Sequence, residues 1–131
     1  MHAKSYRDLE VYKLARQLSL EIFNLSKSFP KEERYSLTDQ IRRSSRSVGA
    51  SRFIGTVAWA KRRYKKHFIS KLTDSDGEQQ ETQHWIETAL DCGYITKKLS
   101  KDWLERYASA GRMLNPMINK ADSFCFKNSN I

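Results

Sequence analysis

No acidic residue occurs between Gln40 and Thr73, a window that carries ten of the chain's 24 Lys and Arg residues and ends in Lys61-Arg62-Arg63-Tyr64-Lys65-Lys66. The next stretch, Leu72 to Thr96, lacks Lys and Arg altogether and holds six of the 15 acids. Charge segregated this sharply keeps a field of one sign over one region, which suits attraction of a polyanion. Other scarcities narrow the class. Five Gly, two Pro and no alternating Val/Ile/Thr runs leave strands with little support and favour helices. The two cysteines, Cys92 and Cys125, have neither metal-type spacing nor the density of a disulfide scaffold, and read as free thiols. His2, His67 and His84 are far apart, with no His-x-x-x-His or Cys-x-x-Cys, so no metal or cofactor is expected. No apolar run approaches the ~18 residues of a membrane span, and the N-terminus has no hydrophobic signal region, so a cytoplasmic location without a membrane partner is expected.

What is present is a single domain over 1–131, with a net charge of +9 that favours nucleic acid or an anionic membrane surface over a basic partner. Val11, Ala15, Leu18, Ile22, Leu25 and Phe29 recur at steps of four and three, predicting a first helix over about 8–28 that Pro30 stops. Ser36 is a plausible N-cap for a second helix over 36–56, with Leu37, Ile41, Ser44 and Val48 on its apolar stripe. After Gly49 the phase of that stripe fails, which predicts a kink, bulge or insertion near 49–55. A third helix is expected over 63–91, with Phe68, Leu72, Gln79, Trp85, Ile86, Ala89 and Leu90 near its buried side. Its middle is polar nearly all round, which calls for partner helices or an oligomer interface to satisfy it. Asp74-Ser75-Asp76-Gly77 resembles the start of a calcium loop, but the later ligands are missing. Gly93 reads as the residue just past that helix, and Ser100 or Thr96 can cap a fourth helix over about 100–122. Asn115-Pro116 predicts a kink or an early end there, and 123–131 forms a short tail. Short connections favour an all-α, antiparallel up-and-down four-helix bundle. That order brings Lys61 to Lys66 to the same end as Lys4, Arg7, Lys120 and Lys127, a basic pole.

Three segments resemble a known family. They are Ser5-Tyr-Arg-Asp-Leu-Glu-Val-Tyr, Phe29-Pro-Lys-Glu-Glu-Arg-Tyr-Ser-Leu-Thr-Asp-Gln-Ile-Arg-Arg-Ser-Ser-Arg-Ser-Val, and Cys92-Gly-Tyr-Ile. Together they are similar to the four-helix bundle proteins encoded in intervening sequences of large-subunit ribosomal RNA genes, over about residues 5–122. The resemblance implies a bundle that assembles into a homopentameric ring, without enzymatic activity. The family is also similar to basic pentameric accessory proteins of diversity-generating retroelements, which bind nucleic acid and a reverse transcriptase. Arg42 and Arg43 fall on the family's paired arginines. Where members follow the Ser-Val segment with Asn-Ile-Ala-Glu, this chain reads Gly49-Ala-Ser-Arg-Phe-Ile-Gly-Thr-Val-Ala before Trp59, a few residues longer and without the acid.

No nucleophile with a neighbouring base, and no spacing that builds an acid/base pair in a cleft, is apparent. Ser44 and Ser45 read as helix-packing residues. Asp74, Asp76, Glu78 and Glu81 read as a solvated or intersubunit salt-bridge face. The expected site is therefore electrostatic: Arg42, Arg43 and Arg46 with Lys61, Arg62, Arg63, Lys65 and Lys66 meet phosphates, and Trp59 and Tyr64 offer rings on which unpaired bases stack, Trp59 being alternatively a core or subunit-interface residue. Cations in the first turn of the third helix oppose its dipole, which calls for an anion there. The expected function is a non-enzymatic nucleic-acid-binding oligomer contacting RNA or DNA backbone. The alternative is an interaction scaffold whose basic pole docks a protein such as a reverse transcriptase.

Overall fold

The computed structural model describes residues 6–49, 62 and 64–125. Among them are four α-helices and no strand: α1 (Glu10–Ser26), α2 (Asp39–Gly49), α3 (Lys65–Asp91) and α4 (Lys97–Asn119). Each packs on the next, and α4 closes back on α1. The cross-chain pairs run in opposite directions: Ala15 meets Gly49 while Ser26 meets Arg42, and Val48 meets Ser75 while Ser44 meets Thr82. An antiparallel bundle follows, with its core filled by the α1 stripe and by Leu37, Ile41, Phe68, Leu72, Trp103, Tyr107 and Leu114.

The stretch before α2 differs from expectation. Ser36 is no N-cap. It lies in a π-helical turn, Arg34–Thr38, that follows a 3-10 turn, Lys31–Glu33, and runs directly into α2. The Asp39 amide donates to the Arg34 carbonyl, the wide spacing that defines this turn, and the Ser36 hydroxyl donates to Glu33 instead. The widened turn buries Leu37 and Thr38 while leaving Arg34 and Tyr35 on the outside. The predicted break near 49–55 lies outside the described residues beyond Gly49.

Along α3 the buried positions are 68, 72, 75, 79, 82, 86 and 89, an unbroken alternation of steps of four and three. That is a heptad seam with Ser75, Gln79 and Thr82 at its centre. All three are buried, so each needs a partner. Ser75 donates to the Val48 carbonyl at 2.7 Å, and Thr82 Oγ1 lies 2.9 Å from Ser44 Oγ and donates to the Glu78 carbonyl at 2.8 Å. Gln79 donates to Asp76 at 3.0 Å and accepts from Gln83 at 2.6 Å, in space left by Gly111 of α4. The buried polar groups in the middle of α3 thus find partners within the chain, Ser75 and Thr82 on α2 and Gln79 on α3 itself. Residues 74–81 are helical, which rules out a calcium loop in that stretch.

The α3–α4 connection matches its sequence signals. Gly93 has φ +78, the Tyr94 amide reaches the Ala89 carbonyl and the Gly93 amide the Leu90 carbonyl, a Schellman close to the helix. Thr96, not Ser100, caps α4, its hydroxyl accepting from the Leu99 amide. Pro116 neither ends α4, which continues to Asn119, nor meets the core. Its missing amide orphans the Arg112 carbonyl, but both residues are exposed, so water can serve that carbonyl.

Two glycines separate packing from helix propensity. A Cβ on Gly49 would stand 2.8 Å from that of Ala15, where α1 and α2 touch, whereas one on Gly77 would meet nothing within 4 Å. Gly77→Ala should gain about 1 kcal/mol, raising the thermal midpoint by roughly 3–5 °C. Gly49→Ala should lower it, since overpacking costs about 1–3 kcal/mol and outweighs the propensity gain at a helix end. Thermal melts of the two variants check the opposite signs.

Candidate nucleic-acid interface

α1 sorts charge onto its two flanks. Glu10 and Glu21, its only acids, lie on the flank away from α2. Glu21 faces α4, where its carboxylate accepts both guanidinium nitrogens of Arg106 at 2.7 Å, the Trp103 indole at 3.2 Å and the Gln17 amide at 3.0 Å. The opposite flank carries Tyr12, Arg16, Ser19, Phe23 and Lys27 at helical spacing and lies beside Arg42 and Arg46 of α2.

That second flank is a basic groove. Two clefts follow it, one of about 270 Å³ between Arg16 and Arg46 and one of about 610 Å³ around Lys27, Lys31, Arg34 and Arg42, while a third of about 680 Å³, lined by Tyr6, Arg7, Tyr12, Lys13 and Arg16 among others, reaches round toward Glu10, with which Lys13 pairs at 3.3 Å. No lining residue of any of them is acidic. Phe23 joins the upper two, with Lys27, Arg42 and Arg46 over its ring at 4.9, 4.8 and 5.2 Å. Arg42 is further pinned by donating from Nε to Ser26 Oγ at 2.7 Å. From Tyr12 to Lys27 the groove runs ~22 Å along α1. Arg16, Lys27, Lys31, Arg34, Arg42 and Arg46 form no ion pair among the described residues.

The sequence-predicted residues divide. Arg42 and Arg46 line the groove. Arg43, one position on, turns to α3 and pairs with Glu78 at 3.5 Å and with Glu81 more closely. Glu78 and Glu81 therefore pair with a cation of the same chain. Burial pushes the Glu78 carboxyl up, and its neighbour Glu81 adds to this against the pull of Arg43. Tyr64, Lys65 and Lys66 lie exposed at the start of α3 with Arg62 beside them, away from the groove residues of α2 in sequence but at the end where α1 also begins. Lys65 pairs with Asp122 at 3.0 Å, so the chain itself supplies an anion to that first turn. Trp59, Lys61 and Arg63 lie outside the described residues. Sequence reading missed Arg16, Phe23, Lys27, Lys31, Arg34 and Tyr35. For Arg16, Phe23 and Lys27 the signal was the 12, 16, 19, 23, 27 spacing, a second stripe flanking the apolar one, whereas Lys31, Arg34 and Tyr35 lie in turns with no such pattern.

At the far end of the bundle, two of the resembling segments touch. Phe29 packs on Tyr94 with ring centroids 5.5 Å apart, and the Tyr94 hydroxyl donates to Glu33 at 2.8 Å. That bond pushes the Tyr94 phenol up to about 12 and, with the Ser36 hydroxyl, pulls the Glu33 carboxyl down. The model of the 23S rRNA-intervening sequence proteins matches residues 7–116. The chain belongs to that family. A crystal structure of a Bacteroides thetaiotaomicron protein of unknown function from the S23 ribosomal protein family is similar to this chain, with 26% identity and a TM-score of 0.72. The match covers 83% of this chain and 95% of that one. No curated protein matches the chain. Among the described residues no helix is long and apolar enough to cross a membrane, and no three His, Cys, Asp or Glu residues gather as metal ligands.

The acidic flank makes a pH prediction. Hydrogen bonds from Arg106 pull the Glu21 carboxyl from its ordinary 4.5 to about 2, against the opposing effect of burial. Because the folded-state value is the lower one, the stabilisation is complete above pH 4.5 and is lost as pH falls toward 2. Glu21→Gln should cost about 1–2 kcal/mol at pH 7, allowing for solvent screening, and the gap from the parent chain should close on acidification. Urea unfolding of both proteins at several pH values measures that gap.

Proposed function

We propose that the protein is a non-enzymatic nucleic-acid-binding protein that holds RNA or DNA backbone in the α1–α2 groove, assembled as a closed homopentamer. The observation that carries the reading is the line of six cations without carboxylate partners among the described residues. A single small anion needs two or three such groups. A groove of ~22 Å with cations along it suits a chain of phosphates, each neutralised by one or two side chains. Arg42 supports this further, because a guanidinium already held by Ser26 and Phe23 loses little freedom when a phosphate arrives. The exposed cations at the start of α3 extend the same field from another side of the bundle. The family's connection with 23S rRNA makes structured RNA the first ligand to try, and the pentamer rests on family resemblance.

Arg16→Gln, Arg42→Gln and Arg46→Gln combined should weaken RNA binding, measured by fluorescence anisotropy. The slope of log affinity on log salt should flatten by roughly 2–3, since each phosphate contact contributes about 0.7–0.9. Replacing Lys61, Arg62, Arg63, Lys65 and Lys66 by Ala measures the share of the α3 start in the same way. A folded triple variant with unchanged affinity and slope would favour the scaffold reading, in which a protein such as a reverse transcriptase occupies the basic surface. RNA incubated with the protein and magnesium should stay intact. Light scattering should give about five times the 15.4 kDa of one chain, and a monomer at micromolar concentration would remove the ring.

A further inference from the structure

The 610 Å³ cleft at the upper end of the groove differs from the rest, because its rim carries a bare aromatic ring. Tyr35 is 72% exposed, more than any other large apolar or aromatic side chain among the described residues. It is presented by the π-helical turn, which widens the backbone at 34–38 and leaves Arg34 and Tyr35 outside while Leu37 and Thr38 anchor the turn below. The Arg34 guanidinium lies 5.3 Å from the centre of that ring, which sets a cation beside it at the edge of the cleft. Lys27, Lys31 and Arg42 line the cleft with it, and Phe29 and Pro30 give it an apolar wall. The Ser26 and Thr38 hydroxyls are its remaining polar groups.

We infer that this cleft is a subsite for one unpaired nucleotide, its base stacked on Tyr35 and its phosphate held by Arg42 and Lys31, so that the protein favours single-stranded over double-stranded nucleic acid. The inference rests on the nucleic-acid reading and adds to it a preference for strandedness. The size fits: clefts of 300–1,000 Å³ accommodate small organic ligands, which covers a nucleotide. The chemistry fits as well. A base paired within a duplex keeps both faces against its neighbours and offers none to Tyr35, whereas an unpaired base has a free face for an aromatic side chain. The lower groove between Arg16 and Arg46 has no such exposed ring beyond half-buried Tyr12, and backbone contact there does not distinguish the two forms.

The test uses a labelled 12-nucleotide oligouridine and a 12-base-pair RNA duplex, titrated by anisotropy against the intact protein, Tyr35→Ala, Tyr35→Phe and Arg16→Gln. Stacking is worth roughly a ten- to hundredfold change in affinity per base, so Tyr35→Ala should weaken oligouridine binding by that factor and duplex binding by less than about twofold. Tyr35→Phe should restore oligouridine affinity, because the ring and not the hydroxyl does the stacking. Arg16→Gln should weaken both ligands alike. Tyr35 is exposed, so its replacement leaves the fold intact, and circular dichroism confirms that. If the parent binds both ligands and Tyr35→Ala changes neither, or changes both equally, the stacking subsite is wrong while the nucleic-acid reading stands. If the parent binds neither, both fall.

Discussion

The rotation of α2 about its own axis is fixed by hydroxyls. Ser44 and Thr82 meet in the buried seam, and Ser75 holds the Val48 carbonyl one turn further on, so α2 has one angular setting in which no buried hydroxyl of that seam is stranded. The surface chemistry follows from that setting. Arg43, adjacent to Ser44 on the α3 side, must face Glu78 and Glu81, while Arg42 and Arg46 must face α1. Turning α2 by one residue would move one of these arginines into the other's place and drive the other toward the core. A heptad seam of leucines would bind the helices as firmly without distinguishing that register, which is where polar groups at such positions act.

The distribution of legible and illegible features has physical reasons. The α1 stripe, the apolar ends of the α3 seam, Gly93 and Thr96 were readable because each depends on local spacing or a local backbone requirement, whereas Ser75 and Thr82 escaped because their partners lie on α2. Ser36 misled because a good capping residue also fits inside a π turn, and nothing local marks that extra width. Pro116 did not end its helix because it and Arg112 lie on the exposed side, which is a tertiary fact. The arginine cluster of α2 was visible, but its division into paired Arg43 and unpaired Arg42 and Arg46 requires knowing which neighbour stands on which side. The groove's other half was hidden on α1, where Arg16 and Lys27 are dispersed among acids that fold onto the opposite flank.

The family's sequence pattern also acquires a structural meaning. Phe29 and Glu33 belong to one of the resembling segments and Tyr94 to another, sixty residues apart, yet they form a single clasp over the end of the bundle. Gly93 makes the sharp exit that delivers Tyr94 to it, and the same clasp steadies the turn from which Tyr35 projects. A pattern that is discontinuous along the chain is continuous in space.

The sorting of charge along α1 has a kinetic consequence. With Glu21 locked into Arg106 on one side and the other side left positive, the molecule has a permanent internal polarity as well as a net charge. For the polyanion ligand proposed above, the unpaired cations of the α1–α2 groove would add a torque to the attraction as it approaches by diffusion. Productive first encounters become more frequent than random tumbling would allow, and that advantage fades beyond a Debye length of ~8 Å at physiological salt.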